Sequence, residues 1–120
     1  MGYTHNWEGT ITNTEWMVVK PIAQKIIELS DVPIEVRGDV SDDVLSLNGE
    51  GADSHECFVI MAGNQHDFCK TARKPYDEVV VAILIAADKY AEYFVWWSDG
   101  VEADHADGRA LCEAAIKSLT

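Results

Sequence analysis

A short basic segment is the clearest candidate for chemistry in this sequence. Lys70, Arg73 and Lys74 place three of the nine basic residues within five positions, directly before Pro75. Proline disfavours the helical conformation at the residue before it, so these side chains should lie in a turn that leads into a helix, near its free backbone N–H groups. A helix start flanked by cations and the Thr71 hydroxyl predicts an anion-binding site. The glycines of a Walker A loop are missing.

A second interpretation of the same segment is purely structural. On a strongly acidic surface, the cations can simply neutralise neighbouring carboxylates. Arg73 and Asp77 stand at i and i+4, a spacing that predicts an ion pair joining the turn to the helix. Both interpretations stay open at the level of the sequence.

Covalent catalysis is a third and weaker interpretation. Cys69 lies beside two cations, which favour the thiolate if the thiol is exposed. His5 or His55 would then act as its base, with Asp77 or Asp99 orienting that base. A free cysteine is more often an inert core residue, so the protein is more simply a binding protein than an enzyme.

The acidic run between Asp99 and Asp107 has enough oxygen atoms to ligate a divalent metal. It lacks the spacing of an EF-hand loop, and carboxylates before a helix are more simply caps and partners of the helix dipole. We therefore expect no metal and no cofactor.

Length and composition predict one domain over residues 1–120. The chain is 48% hydrophobic, which is enough for a core without staples. Its three cysteines cannot all pair with one another and lack zinc-site spacing, as expected of reduced thiols in a cytosol. The first residues do not resemble a secretory leader, and the longest apolar stretch, 79–87, is half a membrane span. We expect a cytoplasmic protein without membrane contact.

The charge balance excludes one class of partner. The formal net charge is −12, and attraction to a phosphate backbone depends on clustered lysine and arginine. Direct nucleic-acid binding is therefore not expected, whereas a basic protein partner suits the surface. High negative charge also keeps a protein soluble without any partner.

The hydrophobic pattern predicts an α+β fold in the order β-α-β-β-β-α-β-α. We expect two layers, a mostly antiparallel sheet of about five strands with three helices on one face. The predicted strands are Gly2–Glu8, Pro33–Arg37, Asp43–Leu47, Glu56–Met61 and Phe94–Trp97, and the predicted helices run to about Leu29, over Pro75–Tyr93, and from Ala106 to Leu119.

The start of the first helix is marked most clearly. Thr12 and Glu15 have the spacing of a capping box, and Ile11 and Trp16 that of a hydrophobic staple. Pro21 interrupts the helical pattern behind them, and a proline inside a helix costs about 3 kcal/mol. We expect a kink there, or a helix that effectively begins at Pro21.

Several segments together resemble a known family. They are Met1-Gly2-Tyr3-Thr4-His5-x-Trp7, Leu47-Asn48-Gly49, His55-Glu56-x-Phe58, Phe68-Cys69-Lys70-Thr71-Ala72-Arg73-Lys74-Pro75-Tyr76-Asp77 and Ser98-Asp99-Gly100. In this order they resemble small proteins encoded by bacteriophages, prophages and bacteria, a family with no established activity. Asn6 departs from the pattern, since an aromatic residue often stands there.

The resemblance implies a phage or mobile-element setting and a shared polar site. The candidate ligand-binding residues are Thr4, His5, Trp7, Cys69, Lys70, Thr71, Arg73, Lys74, Tyr76, Asp77, Ser98 and Asp99. Trp7 or Tyr76 would stack on a planar group, the cations would hold phosphate, and His5 or Asp99 would fix a polar edge. The predicted ligand is a small anionic molecule, with nucleotide derivatives among the candidates, bound to counter host defence signalling in the host cytoplasm.

The alternative function is an acidic inhibitor that imitates nucleic acid. Its carboxylates would occupy a basic groove on a host protein such as a nuclease, and they include Glu35, Asp39, Asp42, Asp43, Glu50, Asp53 and Glu56. A continuous acidic stripe with the segment 70–74 buried would favour this alternative, whereas motifs clustered in one pocket with scattered acids would favour the small ligand. Either function is compatible with a homo-oligomer.

Overall fold

The computed structural model describes residues 3–37 and 43–120. The predicted turn at Gly38-Asp39 and the carboxylates of Asp39 and Asp42 lie outside the described residues, as does the first residue of the predicted strand Gly2–Glu8.

The chain is α+β with three α-helices, as the hydrophobic pattern predicts. Along the chain the elements are β1 (Thr4–Ile11), α1 (Asn13–Leu29), β2 (Ile34–Val36), β3 (Val44–Gly49), β4 (Phe58–Met61), β5 (Gly63–Lys70), α2 (Asp77–Tyr90), β6 (Tyr93–Ser98) and α3 (Ala106–Ser118). Short 3₁₀ helices occupy Gly51–Asp53 and Glu102–His105. None of the helices in the described ranges is both long and apolar enough to span a membrane.

The strands form two sheets, which corrects the expectation of one sheet of about five strands. One antiparallel sheet has the order β5-β1-β6, and the other has the order β2-β3-β4. Both contribute to one cluster of buried apolar side chains, in which the rings of Trp7 and Phe58 meet at 5.0 Å between centroids. The two sheets are therefore packed around a shared core.

The strand β5 was not predicted, because Gly63 and Asn64 have the composition of a turn. Both residues instead begin an eight-residue edge strand that pairs with β1 from Ile11↔Gly63 to Thr4↔Lys70. The chain changes sheet at Ala62, between β4 and β5. Gly63 has φ of +102°, a conformation that favours glycine. The sharp change of direction therefore explains why glycine occupies this position.

The helix α2 is the core helix, as predicted. Eight of its fourteen residues are buried between α1, α3 and the β1-containing sheet. Its bounds are narrower than the predicted Pro75–Tyr93. The amide of Asp77 still donates to the carbonyl of Lys74 in a turn at 2.9 Å, so Pro75 precedes the helix and does not occupy its first position.

The helix α1 runs without interruption from Asn13 to Leu29, which corrects the expectation that it begins at Pro21. The predicted capping box is confirmed: Thr12 Oγ1 accepts from the Glu15 amide at 3.1 Å, and Glu15 Oε1 accepts from the Thr12 amide at 2.9 Å. A buried stripe that includes Trp16 and Ile26 extends on both sides of the proline. Burial of this stripe outweighs the single hydrogen bond lost at Pro21.

Removing the cap should destabilise the whole protein measurably. For Thr12→Ala we expect a loss of about 1 kcal/mol and a melting temperature lower by about 4 °C, because the first turn loses its side-chain acceptor. Thr14 is exposed in the same turn and provides the matched control. Thr14→Ala should leave the melting temperature unchanged or slightly higher, since alanine is the better helix former. Equal losses in both variants would contradict the role of the cap.

Candidate functional site

The central strand β1 brings the motif segments together. His5 lies opposite Cys69 on β5 and opposite Ser98 on β6, and Thr4 lies opposite Lys70. Three segments that are distant in sequence therefore meet around the first residues of β1.

A buried hydrogen-bond network joins this end of β1 to α2. His5 Nε2 lies 2.6 Å from Asp77 Oδ1, and the Thr71 hydroxyl donates to the same oxygen at 2.5 Å. His5 and Thr71 are fully buried. A carboxylate in such surroundings needs donors, and an ionised carboxylate accepts only, so His5 Nε2 carries a proton directed at Asp77. His5 Nδ1 is then an acceptor in the neutral imidazole and a donor in the imidazolium.

Arg73 does not pair with Asp77, which corrects the predicted i,i+4 ion pair. The reason is the backbone of the turn before α2. Ala72 and Arg73 have φ of 52° and 56°, and the amide of Lys74 donates to the carbonyl of Thr71 at 3.0 Å. Two consecutive non-glycine residues in the left-handed region direct Arg73 away from α2. Each costs about 1–2 kcal/mol, so surrounding contacts must hold the turn.

The contacts of Arg73 lie on the opposite side of the site. Its guanidinium carbon is 4.0 Å from the centroid of the Tyr3 ring, and Nη1 is 3.2 Å from Asp104 Oδ1. Asp104 Oδ2 also accepts from the amide of Val101 at 2.9 Å, and these two interactions lower the pKa of Asp104, the amide being the larger cause. Arg73 therefore covers Tyr3 from the solvent side.

Four buried side-chain polar atoms have no hydrogen-bond partner within the described protein. One is Trp7 Nε1 in the core, and the other three, beside this network, are the Tyr3 hydroxyl, His5 Nδ1 and His105 Nε2. The ring centroids of Tyr3 and His5 are 5.0 Å apart, and those of His5 and His105 are 6.1 Å apart. A Cβ built on Gly100 would collide with the Tyr3 hydroxyl and lie 3.0 Å from His105 Nε2. The Tyr3 hydroxyl and His105 Nε2 thus both lie next to Gly100, and the His5 ring lies beside the other two rings; we call Tyr3, His5 and His105 the polar cluster.

Two members of the polar cluster are uncharged at neutral pH. Burial, and then the charge of Asp77, raises the pKa of Tyr3. The Ser98 hydroxyl is close enough to the Tyr3 hydroxyl to lower that pKa by a smaller amount, although the pair does not reach hydrogen-bond geometry. The Ser98 hydroxyl itself accepts from the Gly100 amide at 3.0 Å. Burial, and then the proximity of His5, lowers the pKa of His105. The phenol is therefore a donor, and the neutral imidazole of His105 can donate or accept.

A surface cleft of about 330 Å³ borders the network. Its charged lining consists of two cations and four carboxylates: Arg73, Lys74, Asp77, Glu78, Asp104 and Asp107. Burial, followed by the charges of Asp107, Asp31 and Asp77, raises the pKa of Glu78. Carboxylates that already repel one another make the cleft a poor receptor for a multiply charged anion.

Both predicted stacking residues lie in the core. Trp7 packs edge-on against Phe58, and the Tyr76 hydroxyl donates to the carbonyl of Glu56 at 2.6 Å. Trp7 and Tyr76 are fully buried, so neither presents a ring face to a ligand. Burial raises the pKa of Tyr76 strongly. The expectation that either ring stacks on a ligand is corrected.

The geometry also opposes covalent catalysis by Cys69. The thiol is fully buried and lies 3.5 Å from the carbonyl oxygen of Glu56. Burial raises the pKa of Cys69 to about 12, so the thiol is protonated at neutral pH. The neighbouring cations do not reverse this effect, because Arg73 turns towards Tyr3.

Lys70 is separated from the other two cations. Its ammonium group lies 5.9 Å from the centroid of the exposed Phe68 ring, and its amide donates to Glu56 Oε1 at 2.7 Å. Lys70 is exposed at the end of β5, whereas Arg73 and Lys74 line the cleft. The three cations therefore do not form one anion-binding site.

Thr4, Ser98 and Asp99 tie strand ends together through the backbone. The amide of Thr4 donates to Asp99 Oδ2 at 3.0 Å, and the amide of Asp99 donates to the carbonyl of Thr4 at 3.0 Å. Ser98 receives the Gly100 amide as described above. The three residues hold the chain where it passes the polar cluster.

The acidic stripe is only partly described. Glu35, Asp43, Glu50 and Asp53 are exposed, while Glu56 is half-buried and bound to the Lys70 amide. Within the segment 70–74, Thr71 alone is buried. The stripe therefore stays a prediction.

The sequence did not single out Tyr3, Asp104 and His105 as binding residues. Tyr3 and His5 are two residues apart at the start of the first strand, and residues at that spacing point to the same face of a strand. The spacing therefore indicates that Tyr3 lies beside His5. Asp104 and His105 lay in the acidic run considered for a metal. No group of three or more histidine, cysteine or acidic residues is placed to hold a metal ion within residues 3–37 and 43–120.

Comparisons of this chain with protein-family models, with curated proteins and with solved structures gave no match. The resemblance to phage-encoded proteins accordingly stays a prediction, and the argument for function depends on the geometry of the site.

The strained turn predicts an unusual effect of glycine. Ala72→Gly should stabilise the protein by about 0.5–1 kcal/mol, because relief of the left-handed conformation exceeds the added entropy of the unfolded chain. Ala110 is an exposed residue of α3 and provides the control. Ala110→Gly should destabilise by about 0.5–1 kcal/mol, the usual effect in a helix. Chemical denaturation measures both, and destabilisation by Ala72→Gly would contradict the strained turn.

The cleft carboxylates predict a pH-dependent gain of stability. The pKa of Glu78 is higher in the folded protein than its ordinary value of 4.5, so its ionisation disfavours folding above that range. Glu78→Gln should raise the melting temperature at pH 7. The gain should disappear as the pH falls below about 4.5, because Glu78 is then protonated in both the folded and the unfolded protein. Glu113→Gln on the exposed side of α3 serves as the control and should change little at either pH.

Proposed function

We propose that the protein is a non-enzymatic binding module for a small polar molecule of nucleoside or cyclic mononucleotide size. The observation that carries the proposal is the polar cluster, whose three buried atoms lack protein partners at hydrogen-bond geometry. Arg73 and Asp77, which contact Tyr3 and His5, separate the cluster from a cleft of about 330 Å³. Buried polar groups are nearly always hydrogen-bonded, and an unpaired one costs about 1–3 kcal/mol. A ligand that supplies the missing partners recovers this free energy.

The atoms of the polar cluster specify what the ligand presents. Since Nε2 is committed to Asp77, His5 Nδ1 takes a donor when the imidazole is neutral and an acceptor when it is protonated. The Tyr3 hydroxyl requires an acceptor, and neutral His105 Nε2 takes either. Adjacent donors and acceptors of this kind occur on the edge of a nucleobase or an amide. The proposed ligand is therefore the small anionic molecule predicted from the sequence, with the further requirement that it carries an edge of hydrogen-bond donors and acceptors.

The lining of the cleft limits the charge of the ligand. Arg73 and Lys74 can receive one anionic group, but Asp77, Glu78 and Asp104 lie beside them. A single negative charge, as in a phosphodiester, is therefore favoured over a polyphosphate.

Arg73 controls the path between the cleft and the polar cluster. Its side chain lines the cleft, stacks on Tyr3 and binds Asp104, and it is 61% exposed. An exposed ion pair contributes at most about 1 kcal/mol, so a small anionic group can replace Asp104 as the partner of Arg73 at little cost. Movement of this one side chain would expose the Tyr3 ring to the cleft.

The experiment is a thermal-shift screen of nucleosides, cyclic mononucleotides and nucleoside triphosphates. A compound at about 100 times its dissociation constant should stabilise the folded state by about 2.7 kcal/mol, or on the order of 10 °C. Cyclic mononucleotides or nucleosides should shift the melting temperature, and triphosphates should not.

Two phenylalanine variants test the mode of binding. Tyr3→Phe removes the donor and keeps the ring under Arg73, so affinity for the best compound should fall about five- to tenfold while the fold is retained. Tyr93→Phe removes an equivalent hydroxyl from a side chain that is 70% exposed on another face, and affinity should not change. No shift with any compound, together with higher stability of Tyr3→Phe, would mean that a buried water alone satisfies the polar cluster, and the proposal would be abandoned.

If the resemblance to phage-encoded proteins holds, binding of this kind would sequester a host signalling molecule. The acidic-inhibitor alternative differs in its salt dependence, since attraction between an acidic stripe and a basic partner weakens steeply with ionic strength.

A further inference from the structure

The face of the β5-β1-β6 sheet that is turned away from the helices carries an unusual concentration of apolar side chains. Phe68, Tyr93, Val95 and Trp97 are 50%, 70%, 52% and 45% exposed, and they are four of the eleven exposed large apolar residues in the described chain. We call this surface, together with Glu8 and Lys70, the outer face.

Strand register places Tyr93, Val95 and Trp97 in one row along β6, and Phe68 on β5 across the central strand from Trp97. Asn6 on β1 lies opposite Phe68 on β5 and opposite Trp97 on β6. Residues in one row of a sheet point to the same side, so an aromatic ring flanks Asn6 on each side. The helices contact the sheet through its other face, where His5, Trp7 and Ile11 are buried. No described helix therefore covers the outer face.

The charge of the outer face differs from that of the whole protein. Its two ionised side chains, Glu8 and Lys70, cancel, whereas the chain carries a formal net charge of −12. Two copies of so acidic a protein repel each other unless they approach through a surface without net charge. A basic partner would instead be attracted to the acidic surfaces elsewhere. An aromatic, neutral face on a highly charged molecule therefore suits a second copy of the same chain.

We propose that the outer face is the interface of a weak homodimer, in which the β5-β1-β6 sheets of two copies pack face to face. Phe68 and Trp97 are the central contacts, since aromatic residues contribute most at such interfaces. This proposal is independent of the ligand site, which lies on the helix side of the same sheet.

The size of the face sets the strength of the dimer. Strands of up to eight residues span about 27 Å, and three strands cover about 14 Å, or about 400 Å² in projection from each copy. A total near 800 Å² lies below the roughly 1,200–2,000 Å² that stable interfaces bury, so the dimer is expected to be transient, with a dissociation constant on the order of 100 µM. The equilibrium is therefore visible only at high protein concentration.

Salt should strengthen this dimer. Screening reduces the repulsion between two copies of charge −12, while apolar contacts at the interface are not weakened. Sedimentation equilibrium up to about 0.5 mM protein should show a severalfold tighter dimer at about 0.5 M salt than at about 0.05 M salt. Weaker association at the higher salt concentration would overturn the proposal, because it would indicate a contact between opposite charges.

Aspartate variants on and off the face provide matched tests. Trp97→Asp and Phe68→Asp should raise the dissociation constant at least tenfold, and circular dichroism confirms that the variants are folded. Met17 is 75% exposed on α1, away from the sheet, and Met17→Asp adds the same charge. It should change the constant less than twofold. A monomer at every salt and protein concentration, or equal effects of all three variants, would refute the dimer, whatever the ligand screen shows.

Discussion

The part-buried hydrogen bond between His5 and Asp77 is the interaction on which the site depends. It joins the central strand to the first turn of the core helix, and Thr71 completes it from the turn between β5 and α2. A carboxylate among buried groups is tolerated only when its oxygens are paired. The geometry of strand, turn and helix is therefore fixed together, and a shift of one element would leave a polar group unpaired.

The same constraint explains the backbone strain beside it. The Thr71 hydroxyl binds Asp77, and the chain turns directly after it, where the amide of Lys74 donates to the carbonyl of Thr71. Ala72 and Arg73 take the left-handed conformation that makes this possible, and Arg73 is thereby placed over Tyr3. Strain of this kind is retained where surrounding contacts fix the conformation, and such positions are frequent at binding sites.

The charge distribution separates two sides of one sheet. On the helix side, cations and carboxylates surround the cleft and leave the polar cluster behind Arg73. On the other side, the outer face is aromatic and has no net charge. A protein of formal charge −12 is kept apart from most surfaces of like charge, so its few neutral surfaces have a large influence on what it contacts.

The sequence by itself determined the features that arise from interactions between residues close together in the chain. The capping box of Thr12 and Glu15, the apolar stripe of the core helix and the α+β class follow from spacing and side-chain type, which act within a few residues. Tertiary structure decided the rest. Contacts between residues far apart in the chain decide three further features. They decide whether Trp7 and Tyr76 stack on a ligand or lie in the core, and whether Arg73 pairs with Asp77 or Asp104. They also decide whether the strands form one sheet or two. Burial by such contacts raised the pKa of Cys69 and grouped Tyr3, His5 and His105, and no local pattern in the sequence contains that information.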